Sequence, residues 1–446
     1  MSRVGFVDAF EGVFEDLKKS WPIYESFEDA GGVIAKDSAF HQLSGPQEEF
    51  NIQRLIRPMY GKQSINSSTI GAPPDFVGLE SERERTQHHY IVTLFVDIKG
   101  STRLSLLYPL EDVYRFKNAV IQTCIEAIRA LDGHVHRIMG DAVMAFFGGQ
   151  LIKEEDAIAD AINCSITLRA LLENSIKPFM ERKLGWESSD FGFRVGLEFG
   201  EKEKVLWAAY GYAGVSEVTA TGLPVDMASK LQGLANKNET MLGQELLGFV
   251  NWPEEYSRIK EEQVDGVTTL VKYVRPNLTD RTLKPLDYSM RLLDYRKCLR
   301  YSALPVDIKS SLPDSPVLSN RDVEFKCMAL KAGQEKEYIS ASAFLDKHTS
   351  LKFVVRIDTR GLREPIKVIF TKTNHGAGVP EPERDKKCVY DAIIIRKGRG
   401  GRHGAEYIKE CSMPEATLYR GLHTMKCEVF SAGTPIYRNW IGVLIK

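Results

Sequence analysis

YIVTLFVDIKGST, Tyr90 to Thr102, is a continuous apolar run of strand length that ends on an aspartate and a short polar, glycine-containing stretch. Such a run reads as a buried central strand. Outward from it, Glu111 to Leu131 has helical spacing and stops at Asp132-Gly133, a good helix end. His134 to Met139 and Ala142 to Phe147 read as two short strands around Gly140-Asp141, a hairpin turn. Glu154 to Leu172 is a second helix and Phe191 to Phe199 (FGFRVGLEF) another strand. The order β-α-β-β-α-β predicts an α+β fold of the ferredoxin-like split arrangement. Further helix is expected around Val225 to Ala235, and a final strand near Thr268 to Arg275.

Within that order, FVDIKGST (Phe95 to Thr102) and RIMGDAVMAFF (Arg137 to Phe147) place Asp97 at a strand end and Asp141 at a hairpin tip. The two ends can lie side by side at one rim of the sheet. An Asp after a strand is often only a helix cap, and Gly-Asp often only a turn. Both together, in this fold order, point further. Paired carboxylates repel unless a cation lies between them, and Mg²⁺ prefers one or two carboxylates, waters and phosphate oxygens. Lys99-Gly100-Ser101-Thr102 runs into a helix, so its backbone N–H groups can hold phosphate oxygens.

Composition sets outer bounds. The 446 residues allow two or three domains, and 43% hydrophobic with 27% charged residues is an ordinary globular mix. A formal charge of −1 gives no bulk attraction for nucleic acid or anionic membrane, so neither is expected as a direct partner. The seven cysteines are scattered, with no CxxC pair and no disulfide framework, which suits a reducing cytoplasm. The first residues, MSRVGFVDAFEGVFEDLKK, do not read as a signal peptide, and no run of about 18 apolar residues predicts a membrane span.

Residues 1–87 read as an N-terminal extension. In it Phe6, Phe10, Val13, Phe14 and Leu17 share one face of an amphipathic helix. Residues 88–275 form the βαββαβ domain. Residues 276–319 read as a connector with a helix at Tyr288 to Arg300 and a Pro/Ser-rich tail. Residues 320–446 carry five or more short strands split by Gly and Pro turns, which predicts a small β-sandwich. The basic, Gly-rich stretch Lys397 to His403 reads as a solvated hairpin connection in preference to a phosphate loop. His134 and His136 have a spacing that can chelate zinc, but with no third ligand nearby they read as surface or interface residues.

The segments FVDIKGST, RIMGD, Arg194 to Leu197 and TGLPVDMASKL (Thr221 to Leu231) resemble the class III nucleotidyl cyclases. Those enzymes carry F-x-D-I-x-G-[FS]-T, K-x-x-G-D and G-x-x-V-N-x-A-x-R. The likeness covers Tyr90 to Arg275. It implies conversion of a nucleoside triphosphate to a cyclic mononucleotide and pyrophosphate. Asp97 and Asp141 would hold two Mg²⁺ or Mn²⁺ ions per active site, helped by the Ile98 carbonyl. The resemblance also implies a homodimer with two sites at its interface.

Where the family carries a base-reading Lys this chain has Arg137, and at the second base-reading position Thr219. The nucleotide-binding Asn is Asp226 and the phosphate-binding Arg is Lys230. Lys230 keeps the charge without the two-pronged geometry. Asp226 adds an anion near the triphosphate, which is unfavourable unless it accepts hydrogen bonds; a shifted register or a decayed half are the competing readings. Lys260 is a candidate triphosphate lysine, but in so charged a stretch as RIKEE a solvated surface charge is the preferred reading. Arg137 offers only donors, which suit the keto edge of uracil or guanine.

Glu324 to Lys446 (IKVIFTKTNHGAG and YRGLHTMKCEVFSAGTPIYRNWIGVLIK) resembles the sensor-like domain found behind cyclases and other nucleotidyltransferases of bacterial anti-phage systems. The whole is similar to the pyrimidine cyclases of Pycsar defence. It implies cyclic UMP or cyclic CMP, with UTP favoured over CTP by Arg137, read by a separate effector protein. The alternatives are an adenylate or guanylate cyclase, or a catalytically weak nucleotide-binding sensor.

Overall fold

The structure, a computed structural model, describes residues 3–20, 50–80, 85–212, 215–331, 333–376, 378–384, 388–394 and 407–446. The stretch Lys397 to His403 lies outside the described residues. The apolar run forms strand β1 (Ile91–Lys99), followed by α1 (Ser101–Leu107) and α2 (Leu110–Ala130). Next come β2 (His134–Met139), β3 (Ala142–Phe147), α3 (Glu154–Leu171) and β4 (Gly192–Gly200). These four strands lie antiparallel in the order β2-β3-β1-β4, the split βαββαβ arrangement expected from the sequence.

Side-chain alternation along β1 makes two layers. Val92, Leu94, Val96 and Ile98 pack with Phe116 and Val120 of α2 and Ile158 and Ile162 of α3. Ile91 and Phe95 face the other way, with Met144 and Phe146 of β3. That second face is roofed by a hairpin the sequence reading did not find, β5 (Leu206–Tyr212) and β6 (Val215–Thr221), through Trp207, Val218 and Ala220. Helix α4 (Leu223–Leu234) then leads into β7 (Glu239–Gly243), which lies parallel to β4. Helix α5 (Gln244–Phe249) follows.

Two expectations for this region are corrected. Thr268 to Arg275 does not close the sheet. β9 (Lys260–Val264) and β10 (Val267–Val271) form a separate two-stranded hairpin instead. The main sheet is extended by β7, by β11 (Met290–Leu293) and by β8 (Ser257–Arg258). The helix expected over Tyr288 to Arg300 is β11 followed by a helix at Tyr295–Tyr301, whose start Asp294 caps by accepting the Lys297 N–H at 3.0 Å.

Phe6, Phe10, Val13, Phe14 and Leu17 are all buried, on helices Arg3–Val7 and Ala9–Ser20 that pack into the main core. The C-terminal residues form two facing sheets, as the sequence predicts. One holds four strands: β12 (Val323–Lys331), β13 (Gln334–Tyr338), β15 (Ser350–Asp358) and β18 (Ile408–Ala416). The other holds five: β14 (Phe344–Leu345), β16 (Ile366–Thr373), β17 (Cys388–Ile394), β19 (Gly421–Ser431) and β20 (Thr434–Ile445). Phe353, Val355, Val368, Phe370 and Val429 fill the space between them.

Candidate active site

Asp97 lies two residues before the end of β1, with Ala142 of β3 and Arg194 of β4 as its register partners on either side. Asp141 precedes Ala142 in a two-residue turn made possible by Gly140 at φ 64°. The Ile98 N–H donates to the Asp141 carbonyl at 3.2 Å, so one rung of backbone joins the two motifs. The Ser101 hydroxyl donates to Asp141 Oδ2, and Ser101 is itself buried. Gly100 stands at φ 89°, and a Cβ there would meet the Asp190 carbonyl oxygen at 2.5 Å, so only glycine fits this bend. Thr102 is exposed on the first turn of α1.

Asp97, Ile98, Gly100, Ser101 and Asp141 thus come together at one rim. The sequence reading gave no role to Arg194, whose Nε donates to Asp97 Oδ2 at 2.9 Å. Its opposition to Asp97 follows from the β1–β4 register alone, which no local sequence signal reports.

Arg137 projects from β2 towards the β5–β6 hairpin, where Glu217 grips it. Nε lies 2.7 Å from Oε1, and Nη2 meets Oε2. The pair stabilises both charges: the Arg137 guanidinium is raised by its hydrogen bond to Glu217, and the carboxyl is lowered by the same contact. Glu217 was also missed, although period two places it on the same face of β6 as Thr219. Thr219 is half-buried, opposite Ala208.

Asp226 and Lys230 are exposed one turn apart on α4, opposite its buried Val225, Met227, Ala228 and Leu231. Lys260 starts β9 and is not the solvated surface charge expected: it is 5% exposed, and its Nζ donates to Glu262. His134 and His136 are buried beneath the sheet's edge, not on the surface. Both rings hydrogen-bond the Gly71 carbonyl at 2.9 Å, which ties the segment before β1 to β2.

Among the described residues, no three His, Cys, Asp or Glu side chains are grouped as a closed metal cage. Two carboxylates at an open rim suit a cation that takes its remaining ligands from water and substrate phosphates.

A family model described as the adenylyl/guanylyl and SMODS C-terminal sensor domain matches residues 302–446. A cytidylate cyclase of Escherichia coli is 41% identical over 407 residues, spanning 89% of this chain and 88% of its own. A cytidylate cyclase of Staphylococcus aureus is 34% identical over 385 residues, spanning 85% of this chain and 84% of its own. Among solved structures, the adenylyl cyclase CyaB of P. aeruginosa overlies 47% of this chain and 95% of its own, at TM-score 0.37 and 18% identity. That likeness is too distant to add to the topology. With nearly nine-tenths of the chain aligned to the first relative, and with the two aspartate motifs meeting at one rim, the chain belongs to the same family as these cytidylate cyclases and is a nucleotidyl cyclase of the class III kind.

Proposed function

We propose that the protein is a metal-dependent homodimeric cyclase acting on a pyrimidine nucleoside triphosphate, with CTP placed first. The product would be the 3′,5′-cyclic mononucleotide, with pyrophosphate leaving. It would serve in bacterial anti-phage defence as a second messenger read by a separate effector. The observation that carries this reading is the backbone rung between Ile98 and Asp141, which sets both aspartates at one sheet rim.

Asp97 and Asp141, with the Ile98 carbonyl, would hold Mg²⁺ or Mn²⁺. Such ions, when bound, acidify the attacking 3′-hydroxyl and neutralise charge on the leaving pyrophosphate. The chain's own groups do the positioning. Ser101 fixes the Asp141 carboxylate, Arg194 fixes Asp97, and Gly100 lets the backbone turn tightly beside the phosphates. Lys230 would supply positive charge to the triphosphate, and Asp226 would accept hydrogen bonds beside it. Lys260, already engaged by Glu262, would need a rearrangement to reach a phosphate.

Two features support a dimer. Asp226 and Lys230 point outward from α4. Leu106, Leu107, Leu110 and Tyr114, which follow the Asp97 motif, are exposed apolar side chains. No helix among the described residues is long and apolar enough to cross a membrane, which is compatible with a cytoplasmic enzyme.

CTP comes first because the two relatives aligned over most of the chain are named for cytidylate. UTP is the second reading, favoured by the donor-only side chain of Arg137. Pure protein incubated with each of the four NTPs and Mn²⁺ tests both. Cyclic CMP, lost on chelation by EDTA, is the expected product. Cyclic UMP alone supports the second reading, and cyclic AMP or GMP would overturn the pyrimidine assignment.

A further inference from the structure

Arg137 does not meet a base alone. Glu217 holds it edge-on through Nε and Nη2, which leaves both Nη1 hydrogens and the second Nη2 hydrogen of the guanidinium to donate elsewhere. The carboxylate also faces His136, whose Nε2 lies 3.3 Å from Oε1, and still has lone pairs beyond those that Arg137 and His136 engage. Both side chains are partly open to solvent, with 43% of Arg137 and 36% of Glu217 exposed. Ionised Glu217 is an acceptor only, and the lowering of its carboxyl by Arg137 keeps it so at neutral pH. A donor and an acceptor therefore stand side by side on a face shared with Thr219.

Cytosine presents that pattern in mirror form. Its exocyclic amino group donates, and the adjacent ring N3 accepts. Carboxylates are the side chains that accept from this amino group, and guanidinium groups serve ring acceptors and keto oxygens. We propose that Glu217 is the specificity-determining residue of the site: its carboxylate accepts the cytosine amino N–H while the free donors of Arg137 meet N3 and O2. Uracil in the same pose would turn its O4 towards the carboxylate, acceptor against acceptor. Thr219 is then a neighbour of the base and not its reader. The inference rests on CTP as substrate, because the same pair met in reverse order would suit the O4 and N3–H of uracil.

The test is kcat/KM for CTP and for UTP in wild type, Glu217→Gln and Thr219→Ala, with Tm recorded for each. Glutamine keeps the shape and one acceptor but loses the charge. In Glu217→Gln the CTP:UTP preference is expected to fall by at least about fivefold, the low end of what a paired base contact contributes. Thr219→Ala is expected to keep that preference. Equal losses for both nucleotides in Glu217→Gln would mean that Glu217 only steadies Arg137, and would overturn the proposal. So would a preference that moves with Thr219 alone. A wild-type enzyme that turns over UTP and not CTP would overturn the CTP reading itself, and with it the amino contact. An enzyme that makes cyclic CMP with an unchanged Glu217→Gln ratio would sink Glu217 and leave that reading intact.

Discussion

Arg194 and Asp97 face each other across the β1–β4 ladder, with the guanidinium Nε 2.9 Å from Asp97 Oδ2 and Nη2 on the same oxygen. The side chains are 26% and 13% exposed, so neither charge is well solvated without the other. Two effects of changing Asp97 can therefore be separated. Asp97→Asn keeps an oxygen for Arg194 but weakens cation binding. Turnover should fall by roughly a hundredfold to a thousandfold, comparable with losing one preorganised oxyanion donor, with a smaller loss of Tm than in Asp97→Ala. Asp97→Ala should lose the same activity and also destabilise the fold by about 1–3 kcal/mol, because Arg194 is left without its acceptor. Thermal melts beside Mn²⁺-dependent assays check this. Full activity in Asp97→Asn would rule out the site.

Ser101 is a positioning residue. Its hydroxyl lies on Asp141 Oδ2 at the buried start of α1. Hydrogen bonds to charged groups contribute about 1.5–3 kcal/mol, so Ser101→Ala should lower kcat/KM by roughly tenfold to a hundredfold. Loss of orientation at Asp141 should also raise the Mn²⁺ concentration needed for half-maximal rate. Ser101→Thr keeps the hydroxyl and should recover most of both. A purely structural role would change Tm and leave the Mn²⁺ requirement where it was.

The sequence was most legible where one strong local signal had a single meaning. The run Tyr90 to Val96 has the length and β-branched content (Ile91, Val92, Thr93, Val96) of a buried strand, and Gly140-Asp141 between two short strands has the composition of a turn. Legibility failed where two signals competed. Met290-Arg291-Leu292-Leu293 is mostly apolar and runs straight into a helix, so it merged with the helix at Tyr295, although Asp294 marks the break. The β9–β10 hairpin had a usable mark in Asp265-Gly266, both at positive φ (51° and 79°), the pairing of a two-residue type I′ turn. Glu217 was overlooked because charge on an exposed strand is usually only solvation. Its meaning comes from Arg137, 80 residues earlier in the chain.

The β-sandwich is not a loosely tethered module. Phe344, Leu422 and Leu444 belong to the same buried cluster as Leu293, Leu299 and Ile308, and that cluster continues into α2 and α3. Asp156 of α3 accepts the Phe344 N–H at 2.7 Å, and Asn163 donates to the Ala341 carbonyl at 2.8 Å. Leu422→Ala, at a site 1% exposed, should cost about 2–5 kcal/mol and lower one common unfolding transition. Calorimetry resolving two transitions, only one of them shifted, would show instead that the sandwich unfolds by itself.

Glu198 lies on β4, fully buried, and burial pushes its carboxyl up to about 7. Three donors oppose that push: the Tyr288 hydroxyl at 2.6 Å and the Phe199 and Leu246 N–H groups at 2.8 Å each. Gly243 is packed so tightly here that a Cβ would lie 1.7 Å from Glu198 Oε2, which leaves no space for water to solvate the charge on that side. The sign of the pH effect is then the reverse of an ordinary salt-bridged carboxylate. Between the unfolded value near 4.5 and about 7, the native state holds a proton the unfolded chain has released. Stability should therefore be fully present below that window, fall as pH rises through it, and level off above it. A shift of this size is worth roughly 3 kcal/mol at most. Asp160, also raised to about 7 by burial, titrates in the same range, so the difference between wild type and Glu198→Gln isolates the Glu198 share. Urea midpoints from pH 5 to 8 should slope more steeply downward in wild type than in Glu198→Gln. Parallel curves would mean that the three donors keep Glu198 ionised throughout.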